Sequence, residues 1–293
     1  MKTITVLSGK GGVGKSSLTA SLAIAFSRRK KIIAADCDVD ASNLALVFGV
    51  REKDYEEWKE ISTNQRPVFD RDKCDSCREC FKNCYFGAIC WKKKKPVLFN
   101  YGCEGCGVCE LVCLRGAITL KDIVNARIGY AETRYGFKIA LAQLEVGESG
   151  SGKVVAEVKR RAAELAGDAK IMLSDSAAGI SCPVIASVTG SDYCVLVAEP
   201  TSSSLADMKK ALAVVKHFEV PRGIIINKYD INEEGCRQIE EFAAGEEIKI
   251  LGKLPYDRVF VEALVNMTPV IEKSEKLDRL FSLIADELIK IIF

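Results

Sequence analysis

The chain has 293 residues, of which 48% are hydrophobic, and this length predicts one large domain, or a large and a small one, with a sizeable core. The formal net charge of only +2 gives the molecule no overall field that would steer it to nucleic acid, so we expect no such partner. No segment is apolar enough to span a bilayer, and the N-terminus lacks the apolar run of a signal peptide, which predicts a cytoplasmic protein.

Short apolar segments that suit buried strands alternate along the chain with amphipathic segments that suit helices. This alternation predicts a doubly wound α/β fold, in which a mostly parallel sheet is covered by helices on both faces. The predicted strands are Thr3–Leu7, Lys31–Ala35, Lys170–Leu173, Tyr193–Ala198, Gly223–Asn227 and Ile248–Gly252. The predicted helices are Lys15–Arg29, Gly152–Ala166, Ser202–His217, Asn232–Ala243 and Ser274–Ile291.

Between the first predicted strand and the first predicted helix, the sequence has the pattern G-x4-G-K-S. Glycines let successive backbone N–H groups point at phosphate oxygens, and the helix N-terminus adds its positive end. In this context the pattern predicts a phosphate-binding loop, with Lys15 along the β- and γ-phosphates, Ser16 on Mg²⁺ and Ser17 near the α-phosphate. The predicted nucleotide-binding residues of the loop are Gly9, Lys10, Gly11, Gly12, Val13, Gly14, Lys15, Ser16 and Ser17.

The strand–helix rhythm stops between about residues 66 and 121, a segment rich in cysteine, glycine and lysine. Of the thirteen cysteines in the chain, nine lie between residues 74 and 113. Eight of them form two runs with the spacing C-x2-C-x2-C-x3-C, the second starting 29 residues after the first. We therefore predict a discontinuous nucleotide-binding domain, residues 1–65 and 122–293, and a small inserted α+β domain, residues 66–121, whose core is too small to be stable without metal.

Two copies of this cysteine spacing are typical of bacterial ferredoxins with two [4Fe–4S] clusters, which the predicted insert resembles. In such ferredoxins the fourth cysteine of each run binds the other cluster. The ligands expected from this resemblance are Cys74, Cys77, Cys80 and Cys113 for one cluster and Cys103, Cys106, Cys109 and Cys84 for the other. Zinc is the competing metal, but four-cysteine zinc sites usually join two C-x2-C pairs across a longer loop.

The phosphate loop has a second lysine, Lys10, directly after its first glycine. This K-G-G-V-G-K-S sequence resembles the deviant loop of the MinD, ParA, Mrp and nitrogenase iron protein superfamily of P-loop ATPases. The segment D-C-D-V-D-A-S-N-L at residues 36–44 is similar to the first switch motif of that superfamily. The segment D-S-A-A-G-I at residues 175–180 is similar to the second, with Ala177 in place of the usual proline. Together with the insert, the resemblance covers essentially the whole chain.

The superfamily resemblance implies roles for individual residues. Lys10 and Lys15 would offset charge on the transferring phosphoryl group, and Asp38 would align the attacking water and assist at the Mg²⁺ shell. Asp175 would hold Mg²⁺ through water, and Gly179 would sense the γ-phosphate. Because Lys10 would reach the nucleotide of a facing subunit, ATP should favour a dimer, formed by two identical chains or with a related subunit.

Two further residues are expected at the nucleotide base. Asn227 resembles the base-binding asparagine of the superfamily, and Pro255 begins a segment that flanks the base in related chains. The sequence N-K-Y-D at residues 227–230 is also typical of guanine binding, so GTP is the alternative nucleotide. The deviant loop belongs with ATP users, and ATP is therefore the nucleotide we expect.

Three functions are compatible with a nucleotide loop and two iron–sulfur clusters in one chain. In the favoured one, the nucleotide state controls electron transfer from the clusters to a redox partner protein. The alternatives are an iron–sulfur cluster carrier or assembly ATPase of the Mrp type, which would serve an acceptor protein, and a MinD/ParA-like positioning or scaffold switch with redox sensing. Cys182 resembles the cysteine that binds the subunit-bridging cluster of nitrogenase iron protein, but it is isolated in the sequence, and we expect a buried structural thiol there.

The last predicted helix raises the question of membrane binding, because MinD ends in an amphipathic membrane-targeting helix. Here acidic residues are interleaved with the basic ones, which disfavours anionic lipid. We therefore expect this helix to pack against the sheet and membrane association to be absent.

Overall fold

The computed structural model describes residues 1–99, 102–148 and 150–293, and the chain divides into two compact units. The first unit comprises Met1–Trp58, Ile128–Gln143 and Gly150–Phe293, and the second comprises Lys59–Arg127 and Leu144–Ser149. The strands are β1 (Lys2–Ser8), β2 (Ile32–Cys37), β3 (Glu56–Ile61), β4 (Asn64–Phe69), β5 (Ile89–Lys92), β6 (Lys95–Leu98), β7 (Ile118–Ile123), β8 (Ala126–Glu132), β9 (Lys138–Leu144), β10 (Ile171–Ala178), β11 (Tyr193–Ala198), β12 (Arg222–Asn227) and β13 (Lys249–Leu254). The α-helices are α1 (Lys15–Ser27), α2 (Leu44–Val47), α3 (Glu79–Lys82), α4 (Val108–Leu111), α5 (Gly152–Leu165), α6 (Cys182–Val188), α7 (Ser202–His217), α8 (Glu233–Gly245), α9 (Val259–Val265) and α10 (Glu275–Ile292).

The main sheet confirms the predicted α/β architecture. Across the described residues its nine strands follow the order β13-β12-β11-β1-β10-β2-β9-β8-β3, and every neighbouring pair from β13 to β9 is parallel. The strand order reverses direction at β1, which lies between β10 and β11. In open parallel sheets ligands bind at the carboxyl ends of the strands beside such a reversal. The loops that follow β1, β2, β10 and β11 are therefore the expected site.

The sheet is buried on both faces because successive side chains of a strand point to opposite sides. Val195 and Val197 of β11 pack in a core that also contains residues of α1 and α10. Leu196 and Ala198 pack in a second core, with residues of α7 and α8. Near-continuous apolar strands are typical of parallel sheets covered by two helical layers, and this is why these strands could be recognised in the sequence.

The final helix packs against the core of the first unit. Its apolar stripe is buried together with residues of α1 and β1, and its polar side is tied to α1 by ion pairs of Arg28 with Asp278 and of Arg29 with Asp286. The buried residues of α10 are Leu277, Phe281, Ile284, Ala285 and Leu288. Among the described helices, none has the length and hydropathy needed to cross a bilayer.

Several strands and helices of the structure were not predicted from the sequence. Strands β8 and β9 form a hairpin whose turn is closed by hydrogen bonds from Thr133 N and Oγ1 to Phe137 O, at 2.9 and 2.7 Å. Helices α6 and α9 have seven residues each, too few to show a helical period in the sequence. Strand β3 is largely polar and exposed, so no apolar alternation marks it.

Across its described residues, the second unit has two small sheets and two four-residue helices. Strands β4 and β7 pair antiparallel from Asn64 with Ile123 to Phe69 with Ile118, and β5 and β6 form a hairpin. Its apolar cluster is built on three buried residues, Cys80, Ile89 and Ile118, with cysteines among their neighbours. The unit begins before residue 66 and ends after residue 121, because the paired strands extend beyond both positions. That residues 66–121 form a ferredoxin-like domain stays a prediction.

Phe281→Ala in α10 tests the packing of this helix. Phe281 is fully buried, and its truncation is expected to lower the free energy of unfolding by about 3–5 kcal/mol through lost apolar contacts and the cavity left behind. Leu283→Ala is the matched control, since this neighbour is 66% exposed and its truncation should cost no more than about 0.5 kcal/mol. Urea unfolding followed by circular dichroism measures both values, and equal losses would contradict the packing described.

Candidate functional site

The loop between β1 and α1 is shaped by two glycines that no other residue could replace without strain. Gly14 has a φ of 92°, and a Cβ built there would lie 2.5 Å from Nδ2 of Asn227. A Cβ on Gly9 would lie 2.1 Å from the backbone carbonyl carbon of Asp207. Asn227, at the end of β12, donates from Nδ2 to Val13 O at 2.8 Å and so supports the loop from beneath. These contacts fix the backbone at the start of α1.

Lys15 is buried beside two carboxylates at the start of α1. Its Nζ lies 3.1 Å from Oδ1 of Asp175 and 3.5 Å from Oδ2 of Asp38. Burial lowers the pKa of Lys15, but the charges of Asp175 and Asp38 outweigh this effect, and the pKa is raised. The ammonium group therefore stays charged at the mouth of the phosphate loop.

Asp175, in β10, connects the carboxylates to the first turn of α1. Ser16 Oγ donates to its Oδ2 at 2.6 Å, and Thr19 Oγ1 donates to its Oδ1 at 2.8 Å. The structure thus brings the predicted Mg²⁺ residues Ser16 and Asp175 into contact, with Asp38 joined to them through Lys15. A hydroxyl group and two carboxylates are oxygen donors of the kind that Mg²⁺ binds, so this donor set fits the ion. Thr19 belongs to no motif that was recognised in the sequence.

Asp36 holds the loop that carries Asp38, and the motif pattern alone assigned it no role. It is completely buried and accepts hydrogen bonds from Ser42 Oγ at 2.7 Å, Leu44 N at 2.9 Å and Asp38 N at 3.2 Å. Burial, and secondly the charge of Asp175, raise the pKa of Asp36. Because one carboxylate gathers three donors from the segment after β2, the position of Asp38 depends on Asp36.

Lys10 does not point into the loop but lies in an ion pair that sequence reasoning missed. Its Nζ is 2.8 Å from Oε1 of Glu199, the residue after β11, and donates to Ser203 Oγ at 3.2 Å. Lys228 Nζ lies 2.9 Å from Oε2 of the same carboxylate. Burial raises the pKa of Glu199, but hydrogen bonds from Lys10 and Lys228 outweigh it, and the pKa is lowered. The signal available in the sequence was an acidic residue directly after a buried strand.

Gly179 and the base-side residues lie at the same edge of the sheet as the loop. Gly179, with a φ of 93°, donates from N to Ser8 O at 2.9 Å, which joins the second switch segment to the end of β1. Pro255 is buried directly after β13, where Leu254 pairs in register with Asn227.

An open cavity with an empty volume of about 1290 Å³ adjoins the loop. Its lining includes Gly11, Gly12, Gly14, Lys15, Ser16, Ser17 and Asp38.

The eight free cysteines of the two runs line two separate cavities. One cavity, with an empty volume of about 350 Å³, is lined by the first three cysteines of the first run and by the fourth cysteine of the second run. The other cavity, of about 360 Å³, is lined by the first three cysteines of the second run and by the fourth cysteine of the first run. The two sets are Cys74, Cys77, Cys80 and Cys113, and Cys84, Cys103, Cys106 and Cys109. The fourth cysteine of each run thus faces the other run's cavity, as in the predicted ligand sets, whose metal binding stays a prediction.

The backbone around the two cysteine runs repeats as the sequence does. Helices α3 and α4 each follow a residue in the left-handed region, Arg78 with φ 69° and Gly107 with φ 78°. Backbone N–H groups donate to both fourth cysteines at 3.3 Å, from Ala88 to Cys84 Sγ and from Ala117 to Cys113 Sγ. The spacing therefore encodes a repeated local structure.

No group of three or more Cys, His, Asp or Glu side chains among the described residues converges closely enough to hold a single metal ion. Two cysteines outside the two runs are placed differently from the eight that line the cavities. Cys182 is exposed as the first residue of α6, which differs from the buried position expected, and Cys90 is half-buried in β5.

Comparison with known proteins identifies the family. The profile described as "CbiA: CobQ/CobB/MinD/ParA nucleotide binding domain" matches residues 4–270. The chain belongs to this family. An uncharacterized protein of Methanocaldococcus jannaschii is 34% identical to this member over 275 residues, covering 93% of this chain and 91% of that protein, so the match extends into the second unit.

Solved structures of the MinD/ParA group share the fold. The septum site-determining protein MinD complexed with Mg-ADP from Pyrococcus horikoshii has a TM-score of 0.62 at 20% identity, covering 99% of this chain and 96% of that one. MinD in the MinC:MinD cell division protein complex of Aquifex aeolicus has a TM-score of 0.60 at 18% identity, with the same coverage. These structures show a shared fold, and the family profile shows a MinD/ParA-like nucleotide-binding domain; neither gives support to iron–sulfur clusters or electron transfer.

Gly14→Ala tests whether the loop needs its left-handed glycine. It is expected to weaken binding of a fluorescent ATP analogue at least about tenfold, because the left-handed backbone costs alanine about 1–2 kcal/mol and the methyl group must displace Asn227. Gly245→Ala is the control, since Gly245 ends α8 outside the loop and a Cβ there meets no atom within 4 Å, and its affinity should stay within about twofold of the unmodified protein. Fluorescence titration gives both affinities; equal weakening would show that the backbone of Gly14 is not the constraint.

Proposed function

We propose that this protein is a MinD/ParA-like switch that binds ATP with Mg²⁺ and hydrolyses it slowly. The observation that carries the proposal is the charged Lys15, held between Asp38 and Asp175 beside an open cavity at the phosphate loop. A buried ammonium group and loop N–H groups at the carboxyl end of β1 suit a polyphosphate. Family membership supports the same conclusion.

The residues of the site have distinct tasks in hydrolysis. Lys15 would transfer hydrogen bonds from its two carboxylates to the β- and γ-phosphate oxygens as the nucleotide enters. Asp38, which stays near the cavity, would accept a hydrogen bond from the attacking water and align it. Ser16, Asp38 and Asp175 would hold Mg²⁺, which would supply positive charge against the phosphates. Gly179, bonded to Ser8, would transmit the loss of the γ-phosphate to the segment after β10.

ATP is the nucleotide we propose, and two subunits the active form. One oxygen of Asp230, the carboxylate that a guanine-binding motif would need, accepts a hydrogen bond from Tyr256 N at 2.7 Å, and this favours adenine. The superfamily resemblance implies that Lys10 reaches a facing subunit's nucleotide, in a dimer of identical or related chains. The solved MinC:MinD complex shows a relative with a protein partner, and we propose a partner protein for this chain as well.

Asp38→Asn tests the hydrolytic role. Loss of the carboxylate is expected to lower ATP hydrolysis at least about 100-fold while binding of the analogue is retained. Asp40→Asn, in the same loop, is the control and should keep the rate, because Asp40 binds the backbone N of Gly150 at 2.7 Å and an asparagine oxygen can accept the same bond. Phosphate release from purified protein with Mg²⁺ measures the rate. Full activity in Asp38→Asn would refute the assignment.

We also propose that the second unit holds two [4Fe–4S] clusters, on the strength of its two four-cysteine cavities. With Zn–S bonds of about 2.3 Å, the four sulfurs of a zinc site lie within about 4 Å of one another. Here each set of four cysteines lines one cavity, and no group among the described residues is arranged to hold a single ion, so a cluster bound at its corners is the metal group we propose. Backbone N–H donors to Cys84 and Cys113 Sγ are the kind of contact that tunes cluster thiolates.

The three functions considered from the sequence now have different support. The MinD/ParA-like switch agrees with the family and the solved relatives, and it is our first proposal. Electron transfer to a redox partner, the function favoured by sequence, rests on the cysteine cavities without support from the relatives. A cluster carrier of the Mrp type rests on the exposed Cys182 as a thiol for a labile site. The cytoplasmic location also stays a prediction.

Iron content tests the cluster proposal. Protein prepared without oxygen is expected to contain about eight irons and eight sulfides per chain and to give the electron paramagnetic resonance signal of reduced [4Fe–4S] clusters. Cys80→Ser should lower the iron content by about half, since Cys80 lines one cavity, whereas Cys90→Ser, in the same unit, should leave it unchanged. Stoichiometric zinc in place of iron would overturn the proposal.

A further inference from the structure

We propose that Glu199 is a positioning residue for Lys10, an internal counter-ion that keeps the loop lysine within its own subunit until a nucleotide displaces it. This inference rests on the proposed ATP binding and adds a regulatory step to it. In the described structure, Glu199 uses one oxygen for Lys10 and the other for Lys228.

Glu199 is held more firmly than either of its partners. Its side chain is 11% exposed, while those of Lys10 and Lys228 are each 29% exposed. Ser204 Oγ accepts a hydrogen bond from its backbone N at 3.0 Å, and its carbonyl oxygen accepts one from Thr201 N at 2.7 Å, which fixes the turn before α7. The carboxylate is therefore the fixed point, and the two flexible lysines are the groups that can leave it.

Lys228 ties the same carboxylate to the phosphate loop a second time. It adopts a φ of 54°, a left-handed conformation unusual for lysine, and its Nζ reaches Gly12 O at 3.5 Å. Strained backbone of this kind persists where the surrounding contacts require it. Glu199 thus connects the first part of the loop, through Lys10, with its middle, through Lys228.

The charges of Lys10, Lys228 and Glu199 predict how these three side chains respond to nucleotide. Two ammonium groups share one carboxylate, so the cluster has one excess positive charge next to the site where phosphates are expected. Hydrogen bonds between charged groups exceed neutral ones in strength, and the several charges of a triphosphate would compete with the single charge of Glu199 for Lys10. Release of Lys10 leaves Glu199 paired with Lys228, so no buried charge is left without a partner.

A purely structural clamp would behave differently, because the Lys10–Glu199 pair would then persist with nucleotide bound. Zero-length carbodiimide cross-linking of the unmodified protein distinguishes the two cases, since it joins an amine to a carboxylate already in contact. Without nucleotide, mass spectrometry should detect the Lys10–Glu199 amide. With Mg²⁺ and a non-hydrolysable ATP analogue, its yield should fall at least about fivefold. The Lys2–Asp192 pair, at 2.8 Å, lies at the opposite end of β1 and β11 from the loop, so it is the internal reference and should keep its yield.

Analogue bound in the same samples is measured separately, which keeps the two proposals apart. If no analogue binds, ATP binding is refuted and this inference with it. If analogue binds and the Lys10–Glu199 yield is unchanged relative to Lys2–Asp192, the inference alone is overturned.

Glu199→Gln provides a second test, in which the counter-ion loses its charge and keeps its shape. Its apparent affinity for the analogue should rise about threefold to tenfold, because Lys10 no longer has to leave a carboxylate. The gain should shrink in a Lys10→Ala background, and Glu199→Asp should restore the original affinity. An equal gain with and without Lys10 would show that Glu199 does not act through that lysine.

Discussion

The candidate nucleotide site depends on one interaction, the contact of the buried Lys15 ammonium group with Asp175 and Asp38. These residues come from three segments, the start of α1 and the ends of β10 and β2. A parallel sheet with its reversal at β1 is what brings these ends together. The buried carboxylate of Asp175 would be costly alone, and Lys15 offsets its charge.

Much of this site could be predicted from the sequence because its parts are local. The glycine pattern with its lysine follows β1 directly, Asp38 follows β2 directly, and Asp175 lies within β10 after its apolar start. Such apolar strands are recognisable when both faces are buried. Glu199 and Lys228 could not be predicted in the same way. Glu199 meets Lys10 from a position 189 residues away and belongs to no motif with a fixed spacing. Lys228 lies in the N-K-Y-D segment, but that motif does not predict its contact with Glu199. Asp36 was visible in the motif, but its three hydrogen bonds depend on how the following loop folds back.

The cysteine runs show how far spacing alone determines a structure. A repeat of 29 residues reproduces the left-handed residues at Arg78 and Gly107 and the N–H donors to Cys84 and Cys113. In both copies of the repeat, the fourth cysteine lines the cavity that holds the first three cysteines of the other run. The boundaries of this unit were less predictable, because β4 and β7 continue past the cysteine-rich segment with ordinary polar residues. The spacing of the cysteines determined which residues line each cavity, and the pairing of β4 with β7 determined where the unit begins and ends.

The pairing of β4 with β7 has a consequence for how such a chain can evolve. Asn64 and Ile123 lie opposite each other, and just outside them Asn125 accepts a hydrogen bond from Thr63 N at 2.7 Å. The polypeptide therefore departs and comes back at adjacent points, a gap that a tight turn can close. A cassette attached in this way can be acquired or discarded in a single genetic event without altering a strand of the parallel sheet. A nucleotide-binding domain of this family can in this way gain or lose a cysteine-rich unit while its parallel strands stay in place.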